Sequence, residues 1–297
     1  MNFNEELNCY VNQINEMLES FLDKDVSYAD YLLDAMKYSV MGSGKRLRPL
    51  LMQQTALKYS DDVPELKYFM AALEFIHSYS LVHDDMPCID NDEYRRGRKT
   101  THAVYGETTA LLAGDGLLNY AYETAALAFD DTKHPDRVGR AMQVLTRKAG
   151  IFGMVGGQAL DVQTEKNGLS LTPEKLIYIH ENKTGALIES AMMIGAILAG
   201  ASDEDVKAFE NAGSAIGIAF QIRDDILDVE GNFEELGKPI GSDEENGKET
   251  YVTLHGMDKA REDVEKYSAQ AISLIEKTGK DNPFLTKLVK SLVERRK

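Results

Sequence analysis

Cysteine is scarce in this chain: Cys9 and Cys88 are the only two among 297 residues, and they lie far apart. A disulfide scaffold is thereby excluded, and the usage suits a reducing compartment such as the cytoplasm. Proline is scarce too, with seven, and the alternating runs that mark strands are few. Basic residues are short by comparison with acidic ones, 33 against 49, for a formal net charge of −16. Nucleic acid and anionic membranes ask for broad basic surface, so neither is an expected partner. The start, MNFNEELNCY, lacks the basic opening and apolar run of a signal peptide. The most apolar stretch, SAMMIGAILAGA at 190–201, is too short to span a bilayer. Its small residues suit a helix packed tightly in a protein core.

What remains is a helical pattern with 43% hydrophobic residues, enough for a large core. Leu7, Val11, Ile14, Leu18 and Leu22 recur at helical spacing and give one apolar stripe. Residues 65–83, 111–129 and 211–229 are apolar on most sides and predict buried helices. Length alone suggests two domains. No repeat, low-complexity tract or linker divides the chain, so the expectation is one all-α domain over 1–297, a bundle of roughly ten or more helices. One long loop, GNFEELGKPIGSDEENGKETY at 231–251, is rich in glycine and charge. Such loops are functional lids or solvated connections, and composition does not choose between them.

Two aspartate motifs stand out. Asp84-Asp85-Met86-Pro87-Cys88-Ile89-Asp90 follows directly on the apolar Leu81-Val82. Acid groups at the end of a buried run are costly unless compensated. Magnesium would compensate them, since it binds through a few carboxylates plus phosphate oxygens; an ordinary polar helix end is the plainer reading. An EF-hand is excluded, because Arg95 and Thr101 stand where glycine and glutamate would be needed. The second motif is Asp224-Asp225-Ile226-Leu227-Asp228. Gln221, Asp224, Asp225 and Asp228 fall at i, i+3, i+4 and i+7 and share one helix face. Ile218, Phe220, Ile222, Ile226, Leu227 and Val229 cover the rest. Two such motifs in one chain point to a shared multi-metal site.

Cations cluster in answer. Arg95-Arg96-Gly97-Arg98-Lys99 follows the first motif, and Gly42-Ser43-Gly44-Lys45-Arg46-Leu47-Arg48-Pro49 precedes it. Arginine forks grip phosphate in bidentate fashion, and glycine lets a backbone approach an anion. Lys183-Thr184 follow an expected helix, and Lys238 and Lys248 sit in the long loop. A single basic turn is usually solvated surface. Several in so acidic a chain suggest two polyanionic substrates. His77, two turns before Asp84 on the same face, reads either as a core histidine or as part of this set. No P-loop, zinc-site spacing, nucleophile elbow or GxGxxG turn is present.

At these residues the chain closely resembles the trans-isoprenyl diphosphate synthases, most of all the bacterial farnesyl diphosphate synthases. The strings are GSGKRLRP, FIHSYSLVHDDMPCIDNDEYRRGRKTTH, GGQALDV, HENKTGALI, FQIRDDILDV and LGKPIGSDEENGKETY, in family order. The resemblance implies the all-helical isoprenoid synthase fold around a central cavity, a homodimer, and about three Mg²⁺ ions per active site. It implies that Asp84, Asp90 and Asp224 ligate metal, with Asp85, Asp225 and Asp228 acting less directly. The allylic diphosphate would be held by Arg95, Lys183, Thr184, Gln221, Lys238 and Lys248. Isopentenyl diphosphate would be held by Lys45, Arg48, His77 and Arg96. Asp84, Asp90, Asp224, Lys183 and Arg95 would carry catalysis, and Gly157, Gln158 and Asp161 would face the cavity. Two departures are visible: Arg98 replaces a frequent lysine, and Glu249 stands where small residues are common.

The implied chemistry is ionisation of an allylic C–O bond, attack by the double bond of isopentenyl diphosphate, and proton loss to the departing diphosphate. That needs no side-chain nucleophile or base, and none is apparent. Tyr79 and Ser80 lie about one turn before Asp84. In the family a bulky residue there accompanies a C15 product, so farnesyl diphosphate is expected; Tyr79 could instead merely pack. The alternatives are a C20 synthase or a non-catalytic subunit of a heteromeric synthase, although a subunit of that kind would be expected to have lost motif aspartates. A terpene cyclase would carry a different second motif.

Overall fold

Small residues decide how the N-terminal helices meet. Helix α4 (Leu66–Asp84) packs along α6 (Glu107–Ala126), and the buried face of α6 is Ala110, Ala113, Gly114, Leu117 and Ala121. Gly114 leaves room for the His83 ring, whose Nε2 atom would lie 2.0 Å from a Cβ at that position. Large side chains of α4 fill the space that α6 leaves: Phe69, Leu73, Phe75 and Ile76 are fully buried, and Phe75 stacks on Tyr120. Helix α1 (Phe3–Leu22) begins with a capping box between Asn2 and Glu5 and buries Ile14, Leu18 and Leu22, the stripe its spacing predicts. Helices α2 (Asp30–Met41), α3 (Leu47–Ala56), α5 (Thr101–Tyr105), α7 (Ala128–Asp131) and α8 (Pro135–Ala149) complete this part.

The computed structural model describes residues 2–42, 44–166, 168–230 and 249–293. Among them more than ten α-helices are found, and the only strands are β1 (Tyr94–Arg95) and β2 (Arg98–Lys99), paired antiparallel with Arg95 opposite Arg98. The chain folds into two units. Unit 1 comprises Met1–Gln53 and Asp62–Met142; unit 2 comprises Gln54–Asp61 and Gln143–Lys297. Of the three points where the chain passes from one unit to the other, two fall inside helices, α3 and α8, and the third falls between α3 and α4 at Asp61–Asp62. Residues 111–129 differ from the buried helix expected there. The chain breaks at Leu127 between α6 and α7, and Leu111, Leu112, Leu127 and Phe129 remain about half exposed. Only one side of α6 is covered by its own chain.

Unit 2 is built on α11 (Ala186–Leu198) and α12 (Asp203–Glu230), with α14 (Met257–Glu276) against α12. Helix α11 is buried on nearly all sides, as its small apolar residues predict. Around these lie α9 (Met154–Lys166), α10 (Pro173–Ile179), α13 (Tyr251–His255) and α15 (Pro283–Val293). A π-turn, His180–Gly185, joins α10 to α11.

The two units repeat one local construction. In each, a five-residue helix with threonine at its N-cap position lies after an aspartate motif and is followed by a glycine and a twenty-residue helix; Thr250 caps through its side chain, whereas the Thr100 hydroxyl donates to Asp92 O. Gly106 (φ 82°, ψ 159°) and Gly256 (φ 82°, ψ 156°) end one helix and start the next. That backbone region is open essentially only to glycine.

Candidate active site

In unit 1 the first aspartate motif is a closed turn at the end of α4. After Asp84 the chain coils back: Ile89 N donates to Met86 O at 2.8 Å, and Asp90 N donates to Asp84 O at 2.9 Å. Asp84 and Asp90 are thus joined through their backbones, with the Asp84 side chain 12% exposed. Asp85 is buried and holds Arg95, whose Nε and Nη2 both reach Asp85 Oδ1 at 2.6 Å. Burial raises the Asp85 pKa, and Arg95 pulls it back. Arg95 Nη2 also lies 3.7 Å from Asp84 Oδ2.

A hairpin places these arginines. Arg96 (φ 54°) and Gly97 (φ 75°) both take positive φ between β1 and β2, as a two-residue type I′ connection requires. Arg95 is thereby delivered to the acids. Arg98 lies over the Tyr38 ring at 3.7 Å, and the Tyr38 hydroxyl donates to Lys99 O at 2.8 Å. Arg98 therefore moors the second strand on α2, and its guanidinium is engaged in packing.

The basic turn leads into α3. Lys45 is exposed and Arg48 half-buried. No hydrogen-bond partner meets the buried Nε of Arg48. Burial lowers the Arg48 pKa to about 10; Glu74 raises it and Arg96 lowers it further. His77 is pushed well below its ordinary value by burial, then by Arg48 and Arg96, which keeps the imidazole neutral. Arg48, His77 and Arg96, which the sequence groups together, thus sense one another in the structure. Sequence reasoning missed Arg46 and Glu74, a buried ion pair at 2.8 Å beneath this set. Tyr79 is buried, its ring edge-on to His83, with its hydroxyl pKa pushed up to about 12 by burial. Ser80 Oγ turns back to His77 O at 2.8 Å.

Unit 2 carries the second set. Gln221, Asp224, Asp225 and Asp228 form a half-buried stripe on α12, while Ile222, Ile226 and Leu227 are buried. Val229, expected on the apolar side, is 53% exposed because it lies at the helix end. Asp225 Oδ2 accepts from Tyr251 N at 2.7 Å and so anchors the start of α13. Lys183 and Thr184 follow α10, as expected, and lie within the π-turn. Lys183 Nζ donates to Asp161 Oδ2 at 2.6 Å, and Thr184 Oγ1 donates to Gln221 Oε1 at 2.6 Å. Two glycines admit this turn. A Cβ on Gly157 would lie 2.2 Å from Lys183 N, and one on Gly217 would lie 2.4 Å from Gly185 Cα. Single-turn π-bulges inside helices occur frequently at functional sites. Lys238 and Lys248 lie outside the described residues.

The donor chemistry of the first motif suits Mg²⁺. Asp84 and Asp90 are hard oxygen donors held on one turn, and Mg²⁺ ordinarily takes one or two carboxylates with water and phosphate oxygens completing its shell. Among the described residues no group of three or more His, Cys, Asp or Glu side chains could hold an ion by itself. No helix among them is long and apolar enough to cross a membrane.

Residues 29–290 match the family described as Polyprenyl synthetase. The farnesyl diphosphate synthase of Geobacillus stearothermophilus is 41% identical over 257 residues, 85% of this chain and 86% of that protein. The farnesyl diphosphate synthase of Bacillus subtilis (strain 168) is 41% identical over 88% of each chain. The crystal structure of geranylgeranyl pyrophosphate synthetase from Pyrococcus horikoshii Ot3 aligns with a TM-score of 0.88 at 30% identity, covering 99% of this chain and 98% of that one.

Proposed function

The chain belongs to the polyprenyl synthetase family, and from that premise we propose that it condenses isopentenyl diphosphate with dimethylallyl or geranyl diphosphate to make farnesyl diphosphate. The observation that carries this reading is the surface of α4. One helix ends in the closed Asp84–Asp90 turn, with Arg95 on the acids, and carries His77 beside Arg48 and Arg96 two turns earlier. Carboxylates and cations so arranged suit one diphosphate taken through metal and another taken directly.

Each residue set has a task. Asp84, Asp90 and Asp224 would hold Mg²⁺, which supplies charge neutralisation to a diphosphate leaving group. Arg95 and Lys183 bring cations to the allylic diphosphate, and Lys238 and Lys248 would add theirs. Thr184 and Gln221, already hydrogen-bonded to each other, orient it. Lys45, Arg48 and Arg96 grip isopentenyl diphosphate, and neutral His77 offers a hydrogen bond without a further charge. One charge pair at 4 Å contributes roughly 4 kcal/mol at an effective dielectric near 20. Enzymes lower barriers by roughly 8 kcal/mol or more, so several cations must act together. The C–O bond of the allylic substrate breaks, the isopentenyl double bond forms the new C–C bond, and the departing diphosphate takes the proton. No side-chain base is needed.

The C15 product rests on buried Tyr79 with Ser80 one turn before the carboxylates, and on the farnesyl diphosphate synthases among the relatives. Likeness to the Pyrococcus geranylgeranyl enzyme keeps a C20 product as the second reading. A homodimer, a single catalytic domain over 1–297 and a cytoplasmic site of action belong to the same proposal. The purified chain, incubated with Mg²⁺, isopentenyl diphosphate and each allylic starter, should release mainly C15 product on chromatography. Mainly C20 product would favour the second reading. No product from the chain alone would make it the non-catalytic subunit of a heteromeric synthase.

A further inference from the structure

We propose that Arg46 and Glu74 are a positioning pair for the basic turn of unit 1, and that they set its affinity for isopentenyl diphosphate; this rests on the reading of Lys45, Arg48, His77 and Arg96 given above. Arg46 sits between two cations assigned to substrate, yet it is turned inward. Its side chain and that of Glu74 are each 4% exposed, and they pair at 2.8 Å. All three of its guanidinium nitrogens are used within the protein. Nε donates to Asn15 Oδ1 at 2.7 Å, Nη1 to Glu74 Oε1 at 2.8 Å, and Nη2 to Val40 O at 2.8 Å. One side chain thus ties the turn to α1, to α4 and to the end of α2.

The backbone records the same constraint. Arg46 takes φ 48°, the left-handed region that residues with a Cβ seldom adopt. Such a conformation persists where the surroundings over-determine it, and here three directed hydrogen bonds do so. The consequence falls on its neighbours. With Arg46 turned in, exposed Lys45 precedes it, and Arg48 follows in the first turn of α3 with its Nε lacking a partner.

Charge makes the pair more than a fastening. Gly44 lies between the guanidinium groups of Arg46 and Arg96, whose Nη1 atoms would each be 3.3 Å from a Cβ placed there. Glu74 acts on Arg48 and Arg96 as well as on Arg46. Glu74 matches Arg46, which is buried and bonded within the protein at all three nitrogens. Arg48 and Arg96 keep their positive charge for an incoming anion, held at fixed positions with Glu74 limiting their mutual repulsion. A lysine at position 46 could not reproduce three bonds in three directions.

Steady-state kinetics of the full chain with both substrates varied, together with calorimetric titration of isopentenyl diphosphate, test this. Arg46→Lys should raise KM and Kd for isopentenyl diphosphate about tenfold, with the allylic KM changed less than about twofold. Arg46→Met leaves Glu74 buried without a partner, which is destabilising. The double variant Arg46→Met/Glu74→Leu removes both buried charges, so its melting temperature should recover toward wild type. Its KM for isopentenyl diphosphate should nonetheless stay raised, because the turn is no longer tied. A purely structural pair would behave otherwise: the double variant would regain stability and isopentenyl diphosphate affinity together, or the two KM values would move in parallel. Either result overturns the proposal. A wild-type chain that binds no isopentenyl diphosphate overturns the site assignment itself; wild-type binding with unchanged affinity in Arg46→Lys overturns this inference alone.

Discussion

His77 shows how one buried group connects stability to function. Burial and neighbouring arginines hold its pKa well below the ordinary 6.5. Below about pH 6.5 the unfolded chain takes up a proton that the folded chain refuses. Stability should therefore be fully present above that pH and fall as pH drops toward the folded pKa, by at most about 1.4 kcal/mol per pH unit. Urea unfolding of wild type and His77→Gln from pH 7 to 5 checks this: the variant should show the shallower loss, and equal slopes would mean His77 is protonated in the fold. Tyr79 carries a different burden. It is 6% exposed, so Tyr79→Ala removes a large buried side chain and should cost about 3 kcal/mol or more. If the ring also stops chain growth, the surviving enzyme should release C20 or longer product. Destabilisation with an unchanged C15 product would leave Tyr79 a packing residue only.

Elements differ in how far they can be read from sequence. Stripes with a 3.6-residue period, such as Ile14, Leu18 and Leu22, were legible because one period is sampled many times, and so was the acid face of α12. The hairpin at 94–99 was not, since two-residue strands are too short to show alternation; only Gly97 hinted at a turn. The π-turn, HENKTG at His180–Gly185, interrupts the apolar pattern with polar residues, and polarity alone does not distinguish a π-turn from a loop. The Arg46–Glu74 pair joins residues 28 apart in sequence, and only tertiary packing brings them together. The π-turn makes its own prediction. A methyl group on Gly157 would lie 2.2 Å from the backbone nitrogen of Lys183, and backbone cannot yield as a flexible side chain can. Gly157→Ala should cost about 1–3 kcal/mol and raise the allylic KM more than that for isopentenyl diphosphate, because Lys183 is displaced. Thermal melts with two-substrate kinetics decide it; equal KM changes would detach the turn from allylic binding.

At the scale of the molecule, apolar surface is what the isolated chain leaves unexplained. Val104, Leu111, Leu112, Leu127 and Phe129 of unit 1 are each between 45% and 50% exposed. Leu111, Leu112, Leu127 and Phe129 helped 111–129 read as a buried helix, apolar on most sides, because a sequence does not say whether the same chain or another covers a face. Full burial of such a side chain contributes about 1.5–3 kcal/mol, and half of that is still available at each. Doubled by twofold symmetry, five such residues offer a gain comparable with the roughly 4–15 kcal/mol lost in freedom on association. Two copies of a chain with net charge −16 repel one another, so a contact between them would have to be apolar at its centre. Light scattering should give wild type twice the 33.1 kDa chain mass. Leu111→Glu/Leu112→Glu, which sets carboxylates on the exposed face and leaves the buried alanines of α6 untouched, should give monomer that melts cooperatively. A wild-type monomer, or a variant that stays dimeric, would remove α6 from any subunit interface.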